Sequence, residues 1–227
     1  MTTLLEKLTT VVAPHRCILC SEDNNVLCDN CLLQLPARHD LCCFACDAPA
    51  PTTAVCAGCK KQSGILQAWV PGEYEGALAK AIKLVKFERA RAATEPLAKF
   101  IDANLPQLPE GTLIVPVVTA PARLRQRGYD QAVLIAKELA RRKNRPMEQL
   151  LGRQAAIRQV GASREQRIRQ AHDAFYLRKP QKVAGATVLL VDDVVTTGAT
   201  LKAAATLLSQ AGAAAVYVTA VAKQGMK

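Results

Sequence analysis

The residues best equipped for chemistry lie together late in the chain, in Val188-Leu189-Leu190-Val191-Asp192-Asp193-Val194-Val195-Thr196-Thr197-Gly198-Ala199-Thr200. Two adjacent carboxylates, Asp192 and Asp193, can accept hydrogen bonds from a pair of sugar hydroxyls and would help hold Mg²⁺ indirectly. The hydroxyls of Thr196, Thr197 and Thr200 can donate to phosphate oxygens, and Gly198 lets the backbone come close. From Leu201 onward the pattern Leu201, Ala204, Ala205, Leu208 predicts a helix that stops at Gly212. The start of such a helix offers unpaired N–H groups and a positive dipole end to an anion. The combination suits a sugar phosphate. It is not a Walker loop, because no Gly-Lys-Ser/Thr follows the glycine. The plainer alternative is a buried strand, an acidic turn and a threonine cap.

A second cluster is cationic: Arg123-Leu124-Arg125-Gln126-Arg127-Gly128-Tyr129-Asp130-Gln131. Arginines at alternate positions before a glycine predict a flexible turn suited to a diphosphate, with Arg127 the foremost ligand. Tyr129 could stack a base or serve as a core residue. Lys80, Lys83 and Lys86 line one side of a predicted helix over Glu75–Phe87, a row that is either a solvated face or a phosphate track. Arg164 and Arg167 fall in the most basic stretch, 153–182, which is either a solvated linker or a loop over the site.

The third cluster is made of cysteines. Cys17/Cys20, Cys28/Cys31, Cys43/Cys46 and Cys56/Cys59 are four C-x-x-C knuckles, with Cys42 left over. Two knuckles complete a tetrahedral Cys₄ zinc site, so eight ligands predict one or two structural zincs. Spacing leaves the pairing open, sequential or interleaved. A disulfide framework is disfavoured, because no secretory signal is evident and nine cysteines is an odd number.

The elements that must position these groups follow from pattern. Val188–Val191 is aliphatic throughout, as in a strand buried on both faces of a parallel sheet. Thr112–Val118 and Ala215–Ala222 read likewise, Ala68–Val70 is a shorter strand, and Ala132–Lys143 is a helix. Pro49–Thr53 reads as a loop. Lys60–Gly64 looks like a boundary between a cysteine module, 1–63, and an α/β domain, 65–227. The first holds five Lys/Arg against six Asp/Glu, leaving 25 against 13 for the rest, so the +11 charge of this 227-residue chain belongs to the α/β part. Such an excess favours polyanions or a phosphate-rich ligand. No apolar run is long enough to span a membrane, and Met1–Val12 suits a short amphipathic helix better than a signal peptide.

The 188–200 stretch resembles the phosphoribosyl-diphosphate (PRPP) motif of class I phosphoribosyltransferases. Four C-x-x-C knuckles, then Pro116-Val117 with Arg127-Gly128-Tyr129-Asp130-Gln131, then that motif, resemble the ComF family, including its GntX-like members. Lys86-Phe87, Gln159, Arg167, Ala174 and Phe175 also match, whereas Asp130 stands where the family usually has Asn, and Gln170 likewise. The resemblance implies an α/β fold: a class I phosphoribosyltransferase-like parallel sheet flanked by helices, with a small zinc-ribbon-like N-terminal module. It also implies uptake or processing of single-stranded DNA in natural transformation or DNA utilisation, beside a helicase and a membrane DNA channel. The setting would be cytoplasmic, with peripheral association with the inner membrane as an option. Asp192 and Asp193 would be the catalytic or ribose-holding pair, Thr196–Thr200 (Thr196, Thr197, Gly198, Ala199, Thr200) and Arg127 would hold PRPP or another ribose phosphate, with Mg²⁺ if the site is active. Lys83, Lys86, Arg123, Arg125, Arg127, Tyr129, Arg164 and Arg167 are the nucleic-acid candidates. Two other functions stay open: an active PRPP-dependent transferase, for which no acceptor hood or general base is visible, and a PRPP-sensing module without turnover.

Overall fold

The computed structural model describes residues 16–23, 25–38, 42–87, 91–154 and 175–225. The sequence elements run α1 (Asp29–Leu33), α2 (Ala57–Ser63), β1 (Ile65–Trp69), β2 (Gly72–Glu73), α3 (Gly76–Phe87), α4 (Thr94–Asn104), β3 (Leu113–Pro116), α5 (Pro121–Arg127), α6 (Gln131–Lys143), β4 (Leu151–Arg153), β5 (Phe175–Leu177), β6 (Thr187–Val195), α7 (Ala199–Gln210) and β7 (Ala215–Lys223). Among the described residues β1, β7, β6 and β3 lie side by side in that order in a parallel sheet, with β2 extending the pairing of β7. A separate antiparallel pair, β4 with β5, flanks it.

The aliphatic run of β6 is sealed on both faces, Val188 to Val191 having no exposed surface. Each such side chain contributes roughly 1.5–3 kcal/mol through burial. One face is covered by α3, α4 and α6 through Ile82, Leu97, Ile101, Ile135 and Leu139. The other is covered by α7 through Leu201, Ala204 and Leu208. The cysteine segments do not hang free of this core. Cys17, Leu27 and Cys31 pack into the first apolar cluster, and Cys43, Phe44 and Cys59 into the second. Lys60–Gly64 is not a loose linker: α2 runs through it and ends on Gly64 in the left-handed conformation.

The Arg123–Gly128 segment differs from the flexible turn expected. It is helix α5, with Pro121 in its first turn and Gly128 ending it at φ +80°. Proline is preorganised for a helix start, and three arginines leave no apolar stripe to betray the helix. The positions Gln159, Arg164, Arg167, Gln170 and Ala174, and the segment Met1–Val12, lie outside the described residues.

Candidate functional site

The cleft exists because two neighbouring strands end at different heights. β3 stays in register with β6 only to Pro116 opposite Val191, whereas β6 and β7 continue together to Val195 opposite Lys223. Asp192 and Asp193 therefore emerge beyond β3 at the carboxyl end of the sheet, where ligands bind in open α/β folds. They line a cavity of about 390 Å³ together with Lys86, Arg123, Arg127, Arg153, Thr196 and Thr200. A slightly larger cavity, about 470 Å³, runs along edge strand β1 and carries none of these groups.

The two carboxylates differ. Asp193 is paired with Lys86 Nζ at 2.9 Å, and its own backbone N–H donates to Asp192 Oδ1 at 2.8 Å. Among the described residues Asp192 has no such cation in contact. Burial, and then the charge of Asp193, push its pKa well above the ordinary carboxylate value, against the backbone bond and Lys86. Such a group holds its proton more tightly than a surface carboxylate.

Helix geometry sorts the arginines. Positions four apart share a face and the position between them points away, so Arg123 and Arg127 line the cavity while Arg125 is exposed. Arg127 Nη1 donates to Gln131 Oε1 at 2.9 Å. On α3, Lys86 lines the cavity and Lys83, one turn earlier, is exposed outside it. Tyr129 is not a stacking platform: it is buried, and its hydroxyl donates to the Val85 carbonyl. Its ring belongs to the core, which removes it from the nucleic-acid candidates.

Asp130, the departure from the family pattern, caps α6. Its Oδ1 accepts from Ala132 and Val133 N–H, and its Oδ2 accepts from Thr119 N–H at 2.6 Å. Burial raises its pKa, against these three backbone donors. Asp130 thus ties the end of the β3 loop to the start of α6, beside the cavity.

After β6 the chain turns through Thr196 and Thr197, both exposed, to Gly198 at φ +66°, which precedes α7. Thr196 and Thr200 line the cavity. Thr197 instead accepts a hydrogen bond from Ala199 N–H at 3.4 Å, and Ala199 is exposed. Sequence reasoning missed Arg153. Its guanidinium lies 5.0 Å from the Phe175 ring centre, and burial lowers its pKa, with the charge of Asp192 opposing that shift. A strand of three residues gives too weak a pattern to reveal it. Tyr74, Gln131 and Gln224 also line the cavity without having been singled out as ligands.

The cysteines assemble sequentially: Cys17, Cys20, Cys28, Cys31 in one quartet and Cys43, Cys46, Cys56, Cys59 in the other, the sulfurs of each within 4.8 Å of one another. The Sγ separations are 3.6 Å for Cys20–Cys28 and for Cys46–Cys56, and 3.7 Å for Cys46–Cys59. A tetrahedron of thiolates at the usual zinc–sulfur distance has edges of about 3.8 Å. Each quartet could hold one zinc. Burial pushes the Cys17 thiol up, but backbone donors from Cys20, Cys28 and Leu19 outweigh it and bring the pKa down to about 6.

A parallel sheet with its cleft at the step between β3 and β6 defines a phosphoribosyltransferase-type fold, and the family model described as the phosphoribosyl transferase domain matches residues 129–227. Competence protein F of Haemophilus influenzae is 29% identical, covering 92% of this chain and 96% of that protein. DNA utilization protein YhgH of Salmonella typhimurium is 30% identical, covering 85% of this chain and 88% of that protein. A solved structure of the allosteric regulatory enzyme of purine biosynthesis is 20% identical, with a TM-score of 0.46 over 62% of this chain and 30% of that one. The chain belongs to the ComF family of competence and DNA utilization proteins. Among the described residues no helix is long and apolar enough to cross a membrane.

Proposed function

We propose that this chain handles single-stranded DNA and carries, in the same domain, a cleft for PRPP or a related ribose phosphate. Asp192 and Asp193 accept hydrogen bonds from the ribose hydroxyls. Thr196, Thr200 and the N–H groups that open α7 hold the 5′-phosphate. Arg123, Arg127 and Arg153 hold the diphosphate, and Mg²⁺ bound with the ligand offsets the remaining charge. The outward cations Lys83 and Arg125 contact the DNA backbone. Competence and DNA utilization, the roles named for the relatives, supply the nucleic-acid half of this assignment.

The observation that supports it most is the lining of a single cavity. Four cationic side chains surround two carboxylates beside a threonine-bearing helix start, a charge pattern that complements a phosphorylated diol. The two cysteine quartets, each loaded with zinc, serve structure, since four thiolates leave no open coordination position. The domain division, 1–63 and 65–227, describes where the knuckles end, although both quartets share apolar clusters with the sheet.

The test is a calorimetric titration of the zinc-loaded protein with PRPP and Mg²⁺, then with a single-stranded oligonucleotide, each alone and in the presence of the other. Saturable binding of both is expected. Absence of PRPP binding removes the cleft assignment, and absence of oligonucleotide binding removes the DNA assignment. Diphosphate release in the presence of a nucleobase would instead make the chain a transferase.

A further inference from the structure

We propose that the third cysteine knuckle, Cys43 to Cys46, positions the phosphate loop, so that metal in the Cys43/Cys46/Cys56/Cys59 quartet sets the affinity of the cleft while metal in the first quartet does not. This rests on the ribose-phosphate assignment above. Phe44 and Ala45 lie between the first two sulfurs of the second quartet, and they press directly on Gly198. A β-carbon placed on Gly198 would sit 2.7 Å from Ala45 Cβ and 3.2 Å from Phe44 Cε2. The loop backbone therefore takes its position from the knuckle behind it as well as from β6 before it.

A second contact reaches the same loop from the sheet. Lys223 is 1% exposed, and its ammonium pairs with Asp47, the residue after Cys46, and donates to the Cys43 carbonyl at 3.4 Å. Lys223 lies in register with Val195, which directly precedes Thr196. A shift of the knuckle thus acts on both ends of the short segment 196–198.

Cys43, Phe44 and Ala45 are buried in the second apolar cluster, which leaves the Cys46 end of the knuckle as the part that metal must hold. The knuckle's backbone closes through Cys43 N–H to the Ala48 carbonyl at 2.7 Å and Asp47 N–H to the Cys43 carbonyl at 3.1 Å, with Asp47 at φ +56°. Cys46 is exposed. In such small loops metal binding is a large part of the folding energy. The first quartet stands elsewhere: Cys17, Cys28 and Cys31 pack with Leu78, Leu97 and Phe100, whereas Cys43 and Cys59 share the cluster of Val195 and Leu201.

The experiment compares Cys46→Ser with Cys20→Ser, two exposed ligands at equivalent places in the two quartets. For each, bound zinc is counted and ribose 5-phosphate affinity is measured, with amide exchange of residues 196–201 as a direct report on the loop. Each variant should lose one zinc. Cys46→Ser should bind about tenfold more weakly, equivalent to about 1.4 kcal/mol, with faster exchange in the loop, and Cys20→Ser should match the parent. Equal effects of the two variants, or parental affinity in Cys46→Ser after its zinc is gone, would overturn the inference alone. No ribose 5-phosphate binding by the parent would overturn the cleft assignment and this inference with it. If Cys46→Ser does not fold, Ala45→Gly decides: it keeps all eight sulfurs, and unchanged affinity and loop exchange there would overturn the inference.

Discussion

Gly198→Ala gives the sharpest test of how the loop is packed. Two costs add. The residue sits at φ +66°, and a left-handed conformation costs an L-residue roughly 1–2 kcal/mol. The new β-carbon would also lie 2.7 Å from Ala45 Cβ and 3.0 Å from Ala45 Cα, and overpacking of this kind costs about 1–3 kcal/mol. The sum is about 2–5 kcal/mol. Urea unfolding at fixed zinc concentration measures it, the fixed metal being needed because zinc binding contributes to apparent stability. A double-mutant cycle with Ala45→Gly separates the parts: removing the facing methyl should recover about 1–2 kcal/mol, a coupling within the range seen for contacting residues, and leave the conformational cost. A loss below about 0.5 kcal/mol for Gly198→Ala, or a cycle with no coupling, would show that the knuckle does not bear on the loop.

Other perturbations test the cleft from inside and outside. Burial and Asp193 raise the pKa of Asp192 above its ordinary 3.8, so its contribution to stability is present below that value and is lost as pH rises through the raised one. Asp192→Asn should accordingly be more stable than the parent at pH 7–8, converge with it toward pH 4, and bind ribose 5-phosphate more weakly, all readable from unfolding curves and calorimetry across pH. Gln131 is 2% exposed and its Nε2 has no hydrogen-bond partner among the described residues. Gln131→Met removes that orphaned donor, a gain of about 1–3 kcal/mol, but also the acceptor of Arg127 Nη1, a loss of similar size for a charged donor. Urea unfolding should therefore show a net change within about 1 kcal/mol, and a loss above about 2 kcal/mol would contradict this. Lys223→Met leaves Asp47 with Arg38 at 3.9 Å and should cost about 2–3 kcal/mol, less than the about 3–5 typical of sealed pairs because Asp47 reaches water.

How much of this was legible in sequence depended on how local the signal is. The aliphatic run of β6, the paired aspartates and the glycine before α7 are contiguous, so fold and candidate cleft could be placed from thirteen residues. α5 escaped because none of its residues is buried, leaving no periodicity to detect. α4 had a readable apolar stripe in Leu97, Phe100 and Ile101 but went unnoticed. β4 and β5 are three residues each and pair across twenty-one intervening positions, 154–174, beyond the reach of pattern reasoning. Tyr129 was ambiguous because its partner carbonyl, Val85, is 44 positions away. Identical C-x-x-C spacings carry no information on pairing; the quartets are seen only once the fold brings their sulfurs within 4.8 Å of one another.

The split of cations between the inside and outside of the cleft makes the two halves of the proposed function separable. Arg127 and Arg153 line the cavity with Asp192, whereas Arg125 and Lys83 are exposed and absent from its walls. An exposed cation acts on DNA chiefly by displacing counterions, each phosphate neutralised adding about 0.7 to the logarithmic salt slope for a single strand. Arg125→Ala with Lys83→Ala should therefore flatten that slope by about 1.4 and leave ribose 5-phosphate affinity unchanged. Arg153→Ala should do the reverse, because it removes a guanidinium held over the Phe175 ring at 5.0 Å, where a small phosphate reaches it and a strand on the outer surface does not. Titrations of both ligands at several salt concentrations distinguish the cases. If Arg153→Ala flattens the slope as much as the outer pair, the strand runs through the cleft itself, and DNA and the ribose phosphate compete for one site.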